Sequence, residues 1–157
     1  MATERLTRTE VLMGAQVGVM RRIASYLKLR DNNRDPKGDE LTWDRDIEGA
    51  LGELAFCKWA DIHWTGSINT FHDPDAGVDI QVRTTKLSSG CLIVRADDKR
   101  EDKYVLVTGI HPTYQIRGWV YGHEAQKPEF VRDDESWFVP ITKLRPLESL
   151  SVATKKP

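Results

Sequence analysis

The chain has 157 residues, 39% of them hydrophobic and 30% charged, which fits one folded domain with a real core and argues against wholesale disorder. Its 23 basic and 24 acidic side chains give a net charge of −1. That balance excludes a protein that coats nucleic acid by bulk charge, though not one with a local basic groove. The opening Met1-Ala-Thr-Glu-Arg-Leu6 carries no apolar signal-peptide core, and no apolar run approaches the ~18 residues of a membrane span. The expected setting is therefore the cytoplasm, away from membranes.

Thr7 and Glu10 have the spacing of a capping box. The helix after them is expected to run to about Leu29. Met13, Val17, Met20, Ala24 and Leu27 recur at steps of 4, 3, 4 and 3, which marks them as its buried stripe. Arg21, Arg22, Lys28 and Arg30 lie in its second half, where cations suit the helix dipole. Residues 31 to 41 are polar and carry Pro36 and Gly38, so they read as a loop. Thr42 is the expected cap of a second helix, Trp43 to Ala60, with Trp43, Ile47, Ala50, Leu54 and Cys57 as its stripe. Gly49 and Gly52 weaken that helix by up to ~1 kcal/mol each relative to alanine, so close packing is expected there.

Beyond Asp61 the period changes from 3.6 to 2. The expected strands are Ile62–Gly66, Val78–Lys86, Cys91–Ala96, Tyr104–Gly109 and Gln115–Tyr121. Ser88, Ser89 and Gly90 form a turn between two of them, and the charged run Asp97–Lys103 reads as a solvated loop. Gly122–Gln126 is a short helical turn, Trp137–Pro140 a short apolar segment, and Ile141–Leu150 a broken terminal helix. Residues 1–150 then form one α/β domain, and 151–157 a disordered tail. Cys57 and Cys91 read as buried thiols. His63, His72, His111 and His123 lack the spacing of a zinc site.

The stretch that carries chemistry is Phe71 to Lys86. Val78, Ile80 and Val82 alternate with Asp79, Gln81 and Arg83, so a strand here has one apolar face and one face with an acid, an amide and a guanidinium. Asp73 and Asp75 flank Pro74 just upstream, and Gly77 permits a sharp entry into the strand. Glu53 sits on the edge of the preceding helix's apolar stripe.

Gly49-Ala-Leu-Gly-Glu53 on a helix, then Pro74-Asp75, then Gln81-Val-Arg83 on a strand resembles the PD-(D/E)XK nucleases, and in particular small uncharacterised phage proteins of that type. The resemblance covers about residues 43 to 122. It implies a restriction-endonuclease-like fold, a central mixed sheet of about five strands flanked by two N-terminal helices and a short C-terminal helix. It also implies a metal-dependent DNA endonuclease that uses Mg²⁺ or Mn²⁺. Glu53, Asp75, Gln81 and Arg83 take the catalytic positions. Asp75, Asp79, Gln81 and Glu53 are the expected metal ligands, with either aspartate as the principal one.

Two departures stand out. Gln81 replaces the usual carboxylate and weakens the affinity for a hard cation, and Asp79, two residues away on the same face, could restore the missing charge. Arg83 replaces the usual lysine and cannot act as a general base, but it can clamp the scissile phosphate. Activating the water then falls to the metal.

Arg83, with Lys86 (if a bulge re-aims it) and Arg95, makes up the expected nucleic-acid contacts. Glu48 reads as a solvated helix charge, and Lys99, Arg100 and Lys103 as loop cations balanced by neighbouring acids. The five tryptophans read as packing residues. The expected partners are DNA and a second copy of the chain. Two rival readings stand beside the nuclease: a binding module of the same fold with weakened catalysis, and a phage effector that binds a host protein in the host cytoplasm.

Overall fold

Thr7 and Glu10 start the first helix as their spacing requires. The Thr7 amide donates to the Glu10 carboxylate at 2.6 Å, and the Glu10 amide donates to Thr7 Oγ1 at 3.2 Å. The computed structural model describes residues 1–31, 39–68, 73–132 and 135–154, with backbone alone at 29–31 and 39–42. The expected loop at 31–41 falls largely outside those residues. Helix α1 spans Arg8–Asp31 and helix α2 spans Asp39–Trp59. Residue Thr42 therefore lies inside α2 and does not cap it.

The buried face of α1 is not the expected one. Met13, Met20 and Leu27 are 53%, 55% and 56% exposed, while Gly14, Gly18 and Arg22 are buried. Backbone approach is the reason. A Cβ on Gly18 would lie 2.5 Å from Ile47 Cα, and one on Gly14 would lie 2.5 Å from Leu51 Cδ2. Two glycines four residues apart give α2 a flat surface to lie against, and the larger apolar side chains are turned away from it. Helix α2 is covered on two sides, by α1 and by the sheet, so Ala50, Leu51, Gly52, Glu53, Ala55, Phe56 and Cys57 are all buried. Gly52 meets Thr84 closely, as expected, whereas nothing lies within 4 Å of a Cβ on Gly49.

The main sheet is mixed and has four strands. These are β1 (Ala2–Arg5), β2 (Ile80–Thr85), β4 (Lys103–Ile110) and β5 (Thr113–Tyr121), in the order β1-β5-β4-β2. β2 runs parallel to β4, and the other two pairings are antiparallel. β3 (Leu92–Arg95) leaves this sheet and pairs antiparallel with β6 (Ser136–Val139). The expected five-stranded sheet is thus a four-stranded sheet plus a two-stranded one.

Ile62–Gly66 forms no strand. Positive φ angles at Asp61 and Gly66 break the extended run at both ends. The free edge of β2 is also taken. Ala76 and Ile80 exchange backbone bonds at 3.1 and 3.3 Å, and the Val82 amide donates to Asp75 Oδ2 at 2.7 Å.

Gly122–Ala125 is the one-turn helix α3. Pro140 and Pro146 reduce the expected terminal helix to two 3₁₀ turns, Ile141–Lys143 and Leu147–Ser149. Ser151–Thr154 docks on the domain. The Val78 amide donates to Ala153 O at 3.1 Å, and Lys103 Nζ donates to Ser151 O at 2.8 Å. Gly77, at φ +57°, lies under that segment, and a Cβ there would meet Ala153 O at 2.5 Å. Residues 155–157 of the expected tail lie outside the described residues.

Two apolar clusters fill the fold. Ile80, Val82, Val105 and Val107 face Leu51, Ala55 and Phe56 of α2. Tyr104, Leu106 and Val120 face Leu92, Val94 and Val139 of the small sheet. The alternation of β2 therefore points Ile80 and Val82 at α2, and Gln81 and Arg83 at the opposite layer.

Candidate functional site

Glu53 projects from the middle of α2 and is buried, at 7% exposure. A carboxylate placed there needs partners. Arg21 of α1 supplies them, with its two terminal nitrogens on Oε1 and Oε2 at 2.7 and 2.8 Å. Arg21 Nε donates to the Ser67 carbonyl at 2.9 Å, and the Trp64 indole donates to Glu53 Oε2 at 3.4 Å. Three segments that are distant in sequence thus meet on one carboxylate.

Asp75 lies on the segment that covers the edge of β2, where the charges of Glu53 and Arg21 act on it. Burial of its carboxyl and the charge of Glu53 push its pKa up to about 7, against the opposing pull of the Val82 amide, Arg83 and Arg21. Cys57, one turn after Glu53, responds to the same two acids. Burial pushes its thiol up to about 12, with Glu53 and Asp75 adding to the shift. Cys57 is an inert core thiol, as expected, and both cysteines are free. Arg21 balances Glu53, and the raised pKa lets Asp75 keep its proton until pH approaches 7.

The other expected site residues lie elsewhere. Gln81 Nε2 donates to Asp102 Oδ2 at 3.2 Å and to the Asp73 carbonyl at 3.4 Å. Arg83 holds Asp98 through both carboxylate oxygens at 2.8 and 2.9 Å, donates to the Ile93 carbonyl at 3.3 Å, and lies 5.3 Å from the centre of the Tyr104 ring. Its charge reaches Asp75, but its hydrogen bonds do not. Asp79 pairs with Lys103 Nζ at 2.9 Å, and its Oδ1 is buried without a hydrogen-bond partner. Lys103 is therefore the buried start of β4 and not a loop cation.

Lys86 is exposed and pairs with Asp44 at the start of α2. Arg95 is exposed at the end of β3, where its amide is held by Asp98 Oδ2 at 2.8 Å.

Arg21 and Trp64 escape a reading by apolar stripes. The signal for Arg21 was present once the glycine face is chosen. Positions 14, 18, 21 and 22 share one side of α1, so Arg21 must point at α2. Glu48 corrects a second expectation. It is buried, at 4% exposure, because Tyr114 donates its hydroxyl to Oε2 at 2.5 Å and His111 Nδ1 lies 2.6 Å from Oε1. It forms a cluster apart from Glu53, as their separation of five residues on one helix requires.

Among the described residues, no three His, Cys, Asp or Glu side chains group as a metal site. The donor chemistry of the pair is nonetheless right for a hard cation. Mg²⁺ keeps several waters and is typically held by one or two carboxylates together with substrate phosphates. Glu53 and Asp75 are hard oxygen donors, but Arg21 and Trp64 hold both Glu53 oxygens and the Val82 amide holds one of Asp75. Asp79 and Gln81, turned to Lys103 and Asp102, do not join them.

Compared with protein-family models, curated proteins and solved structures, the chain finds no match in any of the three. Among the described residues, no helix is long and apolar enough to cross a membrane.

Proposed function

We propose that this chain is a metal-dependent DNA endonuclease of the restriction-endonuclease-like type, with Glu53 and Asp75 as its acidic centre. The observation that carries this reading is the state of Asp75. Asp75 is half-buried beside the edge of a sheet, with one oxygen on the Val82 amide, and desolvation and repulsion from Glu53 raise its pKa, so a divalent cation would relieve that repulsion. Mg²⁺ or Mn²⁺, when bound, would polarise the phosphate and activate water.

The residues prepare for that chemistry in separate ways. The Val82 amide fixes one Asp75 oxygen. Trp64 shields Glu53 from solvent on one side. Helix α2, packed on both sides, sets the height of Glu53 against the strand edge. Asp75→Asn keeps the shape and the acceptor for Val82 but removes the charge. It should lower Mn²⁺-dependent nicking of plasmid DNA at least ~100-fold, the scale of losing a principal electrostatic group. Nicking at the wild-type rate would contradict the reading.

One observation favours a second reading, a DNA-binding module that keeps the fold without hydrolysis. Gln81 and Arg83 depart from the usual pair in chemistry and turn to Asp102 and Asp98. DNA retention with no cleavage in Mn²⁺ by the wild-type chain would select it.

A further inference from the structure

Exposed large apolar side chains concentrate on the outer face of α1. Leu12 and Ile23 are 63% and 47% exposed, and Met13, Met20 and Leu27 lie between those values. All five sit opposite Gly14, Gly18 and Arg22, the side that faces α2. Together with the exposed Gln16, positions 13, 16, 20, 23 and 27 recur at steps of 3, 4, 3 and 4, and Leu12 flanks them. That is the narrow seam of a coiled coil, not the wider face a helix turns to a globular core. Arg21 and Arg22 are the charged residues between Leu12 and Leu27, and both pair with acids of α2. Single exposed apolar residues are ordinary, but a contiguous stripe of this length marks a contact surface.

We propose that this stripe pairs with the same stripe of a second copy of the chain, the two α1 helices running parallel about a two-fold axis. The pairing is independent of the function proposed above. Two observations select this occupant. The first is area. Five side chains about half exposed present roughly 500 Å² of apolar surface, so two copies together reach the ~1,000 Å² that a specific interface needs. The second is Gln16, the polar side chain inside the stripe. In a parallel pair it meets its own copy, and one amide satisfies another because each has donors and an acceptor. A single polar residue in an apolar seam sets register in this way. In an antiparallel pair centred on Met20 it would press against Ile23 and lose its partner. The stripe also holds no cation for a phosphate, which separates it from a nucleic-acid surface.

The test is sedimentation velocity of the full-length chain across the micromolar range. Wild type should move from 17.9 kDa to twice that mass as concentration rises. Met20→Glu sets like charges against each other at the middle of the seam and should weaken the dimer at least ~100-fold. Its circular dichroism should stay that of wild type, since Met20 is exposed in the single chain. Gln16→Lys and Gln16→Glu should each be monomeric, and mixing them should restore the doubled mass, because position 16 faces its own copy.

Should Met20→Glu unfold, the two Gln16 variants carry the test, since Gln16 is already exposed and polar. A wild type that stays at 17.9 kDa throughout overturns the proposal and leaves the stripe to a different partner. A dimer that Met20→Glu does not weaken overturns it as well, because the copies then meet elsewhere. A mixture of the Gln16 variants that stays monomeric, beside a dimeric wild type, overturns the parallel register.

Discussion

On the α2 side of β2, one arginine faces two carboxylates. On the far side, an arginine holds one. Arg21 satisfies Glu53 through two short bonds, and Asp75 is left with burial and repulsion. Arg83 and Asp98 close on each other through both carboxylate oxygens, over the Tyr104 ring. Arg21 uses two terminal nitrogens and Arg83 one, and the two pairs have opposite consequences. A matched pair neutralises itself and cements the packing around it, whereas an extra acid beside a matched pair leaves a field that attracts another cation. The resemblance to PD-(D/E)XK nucleases points to Arg83, whereas the proposed function rests on the side that holds Arg21.

The sharpest way to break this comparison is to remove one member from each side. Glu53→Gln should lower Mn²⁺-dependent cleavage by about 100-fold, the scale of a principal electrostatic group. Arg83→Ala should not weaken Mn²⁺ binding, since it removes a cation whose charge reaches Asp75, and should instead cost stability. The Arg83 and Asp98 side chains are 30% and 17% exposed, which discounts the loss to about 1–3 kcal/mol by urea unfolding. A large loss of Mn²⁺ affinity in Arg83→Ala would join the two sides into one site.

How much of this was legible beforehand depended on which physical signal each residue left. The Thr7–Glu10 cap, β2, β4 and β5 announced themselves through local chemistry and period. Glu53 and Asp75 were singled out through a motif, and the charge of Glu53 acts on Asp75 in the fold. The Arg21 contact was hidden because Met13, Met20 and Leu27 form the more regular apolar stripe. The glycine surface at 14 and 18 won because it lets two backbones approach.

Glu48 was misread because its partners, His111 and Tyr114, lie more than 60 residues away in a turn and a strand. β1 left no signal at all, since Ala2–Arg5 is four residues with no alternating apolar set. The strand expected at Ile62–Gly66 failed for the opposite reason, a plausible pattern interrupted by positive φ angles at Asp61 and Gly66.

Stability against pH separates the two sides more gently. Asp75 has a folded pKa raised to about 7, well above the ~3.9 of an unfolded aspartate. The folded state therefore holds the extra proton, and the stabilisation is full below about pH 4 and lost as pH rises towards 7. In thermal melts, wild type should lose stability relative to Asp75→Asn over that window. The smallest effect belongs to Lys86, which is exposed and paired with an exposed Asp44. Lys86→Ala should change stability by less than about 0.5 kcal/mol in the same urea series.

The unbalanced charge itself is open to direct measurement by following the Asp75 carboxyl carbon through a pH titration by NMR. The account predicts a midpoint near 7 in wild type, moving down in Glu53→Gln as the repelling charge is removed. A wild-type midpoint in the ordinary range of about 3.9, unmoved by Glu53→Gln, would contradict it.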